Sequence, residues 1–135
     1  PAARMKAARE HRVPLAPRCL EVLEKAKAMA DGGGFVFPGR TPKAPLSNMA
    51  LLMLIRRMGH TDITAHGFRS SFRDWAAERS NASSAVVEAS LAHTVKDKTE
   101  AAYFRSDLFE RRKVLMESWS RFALAEPAMV VHLRA

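Results

Sequence analysis

The chain has 135 residues, 47% of them hydrophobic, which is one domain's worth of polymer with enough apolar material for a core and excludes wholesale disorder. Lys and Arg number 22 against 14 acids, and the resulting charge of +8 favours a polyanionic partner, with nucleic acid first and an acidic membrane surface second. The single cysteine, Cys19, excludes an internal disulfide and a thiolate metal cage, no apolar run reaches bilayer-spanning length, and the basic start PAARMKAARE lacks a signal peptide's apolar stretch, so a cytoplasmic protein with no membrane partner is expected.

In chain order, RMKAAREHRVPL suggests two short extended pieces around a polar turn, a β-hairpin over 1–15. Pro17 is suited to open a helix, RCLEVLEKAKAMA, with a broad apolar face, and the glycines from Gly32 stop it. TPKAPLS is loop by its prolines, and Ser47 is placed to cap NMALLMLIRRMG, apolar almost all round until Arg56 and Arg57. A further helix begins near His66, with Phe68, Phe72 and Trp75 at i, i+4 and i+7 as its buried stripe. SAVVEASLAH predicts another helix, and one more runs through Tyr103. Asp107 caps a long last helix with Leu108, Leu115, Trp119 and Phe122 on one face. The predicted class is mainly α with a small β element near the start: hairpin 1–15, helical core 17–124 and tail 125–135.

Several residues carry chemistry. His66 and Arg69 in HGFR share a helix face, where a guanidinium can grip a phosphate with two N–H donors and an imidazole can donate or move a proton. Taken alone, that pair is a weak signal that occurs by chance, and a solvated helix face is the commoner reading. His93 stands where a helix should stop, a position that a histidine can occupy simply to favour the helix dipole. Tyr103 is the only tyrosine; its phenol, with a reference pKa of about 10, needs a base or flanking cations to act as a nucleophile, and the plainer reading is a core residue with a polar tip. Lys6 could present a mobile ammonium.

Taken together, HGFRSSFRDWAAE followed by VVEASLAHTVKDKTEAAYFRSDLFERRKVLMESWSRF resembles the carboxy-terminal part of the tyrosine recombinases, prophage and genomic-island integrases in particular. The ordered series Lys, His-x-x-Arg, Leu-x-His, Tyr carries the resemblance, and Lys6 keeps the family's spacing to Pro14 of the VPL exit. The resemblance implies a catalytic core like that of the DNA breaking-rejoining enzymes. It implies that Tyr103 forms a 3′-phosphotyrosyl bond and that Arg69 holds the scissile phosphate. His66 would assist as acid or base, His93 would donate to the phosphate, and Lys6 would protonate the departing 5′-hydroxyl. Energy stored in the covalent bond would make ATP, metal and any other cofactor unnecessary. Double-stranded DNA carrying attachment sites is the implied partner, with homo-oligomers assembling on it and the tail from Pro127 docking on another protomer.

One departure stands out. The family uses two arginines, the first in a helix upstream of the hairpin, and this sequence starts practically at the hairpin. A core truncated at its N-terminal side, cleaving weakly or not at all, is therefore expected. Arg56 and Arg57 are candidate DNA contacts, whereas Arg111, Arg112 and Lys113 are expected to solvate a helix face, and Phe68, Phe72, Trp75 and Trp119 to be core. Two other readings stay open: a basic module that binds DNA without cutting it, and a type IB topoisomerase-like activity without site specificity.

Overall fold

The computed structural model describes residues 1–5, 8–30, 32–41, 43–93 and 106–126. Lys6, the expected helix through Tyr103, and the tail from Pro127 lie outside the described residues.

Five α-helices are described: α1 (Pro17–Met29), α2 (Ala50–Arg57), α3 (Gly67–Arg79), α4 (Ser84–Ser90) and α5 (Phe109–Leu124). The mainly helical class is therefore present. The hairpin expected over 1–15 is not seen. Its described residues contain one 3-10 turn, Ala2–Arg4, closed by Met5 N–H donating to the Ala2 carbonyl at 3.0 Å, and such local bonds satisfy backbone groups that a ladder would have used. Among the described residues the β pairing is a lone antiparallel bridge, Pro38 to Pro45. There Gly39 is obligatory, because a Cβ at that position would come within 2.4 Å of the Pro45 carbonyl oxygen.

The core lies where α3, α4 and α5 pack together, around Phe72, Trp75, Ala76, Val86, Val87, Leu91 and Leu115. Trp119 closes it, edge-on to Phe72 at 5.6 Å and tilted on Trp75 at 5.2 Å, separations at which aromatic pairs add about 0.5–1.5 kcal/mol beyond their burial. Phe68 does not join this core and is 56% exposed. It sits in the first turn of α3, ahead of the buried stripe that begins at Phe72. The other two helices form but are lightly covered among the described residues: α1 buries Ala26 and α2 buries Ile55, while Met29, Leu51 and Met58 remain exposed.

The entry to α5 departs most from expectation. Arg112, expected at a solvated face, is 1% exposed. The reason lies in the helical register, since Leu108, Arg112, Leu115 and Trp119 fall at i, i+4, i+7 and i+11, which puts the arginine on the apolar stripe. Its Nη1 donates to the Asp107 carbonyl at 3.2 Å, and its Nη2 donates to the Arg12 carbonyl and lies 3.5 Å from His11 Nε2. Asp107 receives Arg12 Nε at 3.0 Å and Nη2 at 2.7 Å, and through Oδ1 it accepts the Phe109 N–H at 3.2 Å, although the capping position falls on Leu108, in a left-handed conformation, and not on Asp107 as expected. The segment before α1 is thereby stapled to the start of α5.

The staple sets a pH dependence. Burial first, then the charge of Arg112, holds His11 below the ordinary histidine value, with Asp107 opposing. The Arg12 hydrogen bonds hold the Asp107 carboxyl below the usual carboxylate range. Both groups bind protons more weakly folded than unfolded, so their stabilisation is present above the unfolded pKa and is lost as pH falls through the folded one. The melting temperature should fall in two steps, first below about pH 6.5 and again below about pH 4. His11→Asn should flatten the first step in a circular-dichroism melt. An undiminished first step in that variant would remove His11 as its source.

Candidate active site

The first turn of α3 and the end of α4 meet at one small cluster. At the start of α3 the Thr64 hydroxyl accepts the Gly67 N–H at 3.1 Å, satisfying a donor that a helix start leaves open. This sets the turn that carries His66 and Arg69. His66 is the residue before the helix and is exposed, with no side-chain hydrogen bond among the described residues. Arg69 reaches across to the other helix.

α4 ends in a sharp reversal. Leu91 is packed in the core, Ala92 takes a left-handed conformation at φ 54°, and the His93 N–H returns to the Glu88 carbonyl at 3.0 Å. A left-handed alanine costs about 1–2 kcal/mol, which the packing of Leu91 on one side and the bonds of His93 on the other sustain. The reversal aims the Leu91 carbonyl and the His93 ring at Arg69. Arg69 Nη2 donates to Leu91 O at 2.7 Å and stands 2.9 Å from His93 Nε2.

Glu88, a half-buried carboxylate on α4, holds the far side of the ring. His93 Nδ1 lies 2.6 Å from Glu88 Oε2, and Arg73 Nε donates to Glu88 Oε1 at 3.1 Å. The hydrogen bond from His93, reinforced by the charge of Arg73 against the opposing effect of burial, keeps Glu88 below the usual carboxylate range. Ionised Glu88 only accepts and a guanidinium only donates, so donor logic assigns the histidine proton to Nδ1 and leaves Nε2 as acceptor from Arg69. The cluster thus runs Arg73, Glu88, His93, Arg69, alternating donor and acceptor throughout.

Of the residues expected from sequence, Arg69 and His93 are brought into contact, His66 stands one turn away at the helix start, and Lys6 and Tyr103 lie outside the described residues. Arg56 and Arg57 are exposed in the last turn of α2. Glu88 and Arg73 were not anticipated. Two signals could have found them: Glu88 is the lone charge in SAVVEASLAH, and Arg73 follows Arg69 by one helical turn. No three of His, Cys, Asp and Glu gather as a metal site among the described residues. An open groove of about 550 Å³ lined by Arg79, Ser83, Arg111 and Ser118 lies elsewhere, at the opposite end of α3. Ten residues of helix, about 15 Å, separate its Arg79 from Arg69, so it is not part of the cluster.

No family model matches the chain, and no solved structure matches it significantly. Curated relatives do. Prophage integrase IntA of Escherichia coli K12 is 37% identical over 122 residues, covering 89% of this chain and 29% of the relative. Prophage integrase IntZ of the same organism is 34% identical over 121 residues, covering 89% and 30%. The integrase of Enterobacteria phage P4 is 28% identical over 123 residues, covering 87% and 28%. The chain therefore spans less than a third of the length of the relatives it matches. Among the described residues no helix is long and apolar enough to cross a membrane.

Proposed function

We propose that this chain, which belongs to the phage integrase family, cuts and rejoins duplex DNA through a 3′-phosphotyrosyl bond to Tyr103. The phenol oxygen attacks the scissile phosphorus and the bond to the 5′-oxygen breaks. Lys6 supplies the proton that the 5′-oxygen takes on leaving, and His66 accepts the phenol's proton. Arg69 grips the non-bridging oxygens as negative charge grows on them, and His93 donates to one of them from the other side. Attack by a 5′-hydroxyl on the phosphotyrosine reverses the sequence and restores the backbone, so the phosphodiester energy is conserved. The substrate is attachment-site duplex, on which protomers assemble, and Arg56 and Arg57 contact its backbone.

The observation that carries the proposal is the convergence of Arg69 from α3 with His93 and the Leu91 carbonyl from the end of α4, residues more than 20 positions apart in the chain. A helix surface that only solvates itself has no need of a guanidinium held in register by a core-anchored carbonyl. The test is covalent adduct formation on a nicked duplex, resolved on a denaturing gel. Arg69→Ala should slow adduct formation by about 10²–10³, the usual cost of one preorganised donor to a transition-state oxyanion. Arg111→Ala is the control, an exposed arginine whose pairings contribute roughly 0–1 kcal/mol. Equal losses in the two variants would take Arg69 out of the site.

A further inference from the structure

Arg69 is already occupied where a phosphate must bind it. Nη2 belongs to both edges of a guanidinium that can offer two parallel N–H bonds, the Nε–Nη2 edge and the Nη1–Nη2 edge. Its two hydrogens are committed, one to Leu91 O at 2.7 Å and one to His93 Nε2 at 2.9 Å. A bidentate phosphate therefore has to displace one of them. The carbonyl is fixed by Leu91 in the core and its bond is partly buried, whereas the imidazole contact is exposed, so the imidazole yields.

Once displaced, His93 Nε2 presents a lone pair to an oxygen that also has only lone pairs. Two acceptors face each other, and a proton on Nε2 resolves the conflict. From the helices around it, His93 meets Arg69 of α3 at Nε2 and Glu88 of α4 at Nδ1, with Arg73 of α3 behind Glu88. With Arg69 turned to the phosphate, the ring stands between two anions, the Glu88 carboxylate and the phosphate itself, and both favour a second ring proton.

We propose that a phosphodiester entering this site displaces His93 from Arg69 and draws one proton from solvent onto His93 Nε2, with Glu88 as the positioning residue that holds the ring in both states. In the free site His93 Nε2 faces the Arg69 guanidinium as an acceptor. The loaded site pairs two cations, Arg69 and His93, with two anions, the phosphate and Glu88. Binding and protonation are then linked, and affinity falls by up to about tenfold per pH unit across the histidine range. The inference rests on the reading of Arg69 as the phosphate holder.

The probe is a short DNA duplex added to this chain, followed by nitrogen NMR of the histidine side chains and by calorimetry in buffers of different ionisation heat. The free protein should show His93 protonated at Nδ1 alone, and the duplex should bring a second ring proton and the uptake of about one proton per site. His93→Gln should remove most of that uptake, and Glu88→Gln should at least halve it while leaving the fold intact by circular dichroism. Uptake that is unchanged in His93→Gln, or a His93 that stays neutral in the complex, overturns the proposal. Arg69→Ala separates the two levels. If it weakens duplex binding while His93 never gains a proton in the unmodified chain, only the proton linkage fails. If it changes neither affinity nor the His93 signals, the phosphate site itself is misplaced and both readings fall.

Discussion

Tyr103→Phe is expected to abolish covalent attachment to a nicked duplex and to leave duplex affinity within about twofold, because affinity comes mainly from phosphate contacts by cations. The substitution removes one oxygen and almost no surface. Tyr103 is the only tyrosine, so no neighbouring phenol can replace it. The chain is anchored close by on either side of it, His93 by Glu88 and Arg69, and Asp107 by Arg12. In the proposed reaction Arg69 and His93 lower the cost of charge on the phosphate, but neither carries a hydroxyl to attack it. Adduct from the unmodified chain and none from the variant is the expected pair of results. Adduct from both would mean that another residue is the nucleophile. Duplex binding without adduct from either would favour a basic module that holds DNA without cutting it.

The parts of the site that sequence reveals are those whose chemistry repeats locally. His66 and Arg69 share one helical turn, and His93 marks a helix end, so each could be named from its immediate neighbours. Glu88 escaped because its meaning depends on where the chain turns after it: only with Ala92 left-handed does the His93 ring fold back onto a carboxylate five residues earlier. The core was legible in Phe72, Trp75 and Trp119, whose helical spacing is regular, but not in Phe68, which keeps the same spacing and lies ahead of the buried stripe. Periodicity identifies a face and says nothing of how far along it a partner extends. The hairpin is the reverse case: the pattern RMKAAREHRVPL suggested an element over 1–15 that the described residues do not show, Ala2–Arg4 forming a 3-10 turn there. Arg112 was misread for a chemical reason. Charge suggested solvent, although the register of Leu108, Leu115 and Trp119 already placed it inside. Its partners, Arg12 and His11, are about 100 positions away and have no local signature.

Arg112→Ala should be the most destabilising single change at this surface-charged helix, by about 3 kcal/mol, and should lower the melting temperature by roughly 10 °C. A buried guanidinium that meets the carbonyls of Asp107 and Arg12 and the ring of His11 gains from charged hydrogen bonds, each contributing about 1.5–3 kcal/mol before non-additivity. Removing it strands those acceptors and leaves a cavity beside Leu115 as well. Against this stands the cost already present, since Arg112 Nε is buried without a partner among the described residues and burial pulls the guanidinium pKa down. That cost limits the loss but does not cancel it, because three acceptors outweigh one orphaned donor. Two variants separate packing from hydrogen bonding. Arg112→Met keeps the volume and loses the fork; Arg112→Lys keeps the charge and can reach one acceptor at a time. If hydrogen bonding dominates, Met recovers less than half of the lost stability and Lys recovers little more. Arg111→Ala, one residue away but exposed, should shift the melt by no more than about 0.5 kcal/mol. Full recovery by Met would show that the arginine is held there by its bulk. The staple between the N-terminal segment and α5 would then owe its strength to Arg12 and Asp107 alone.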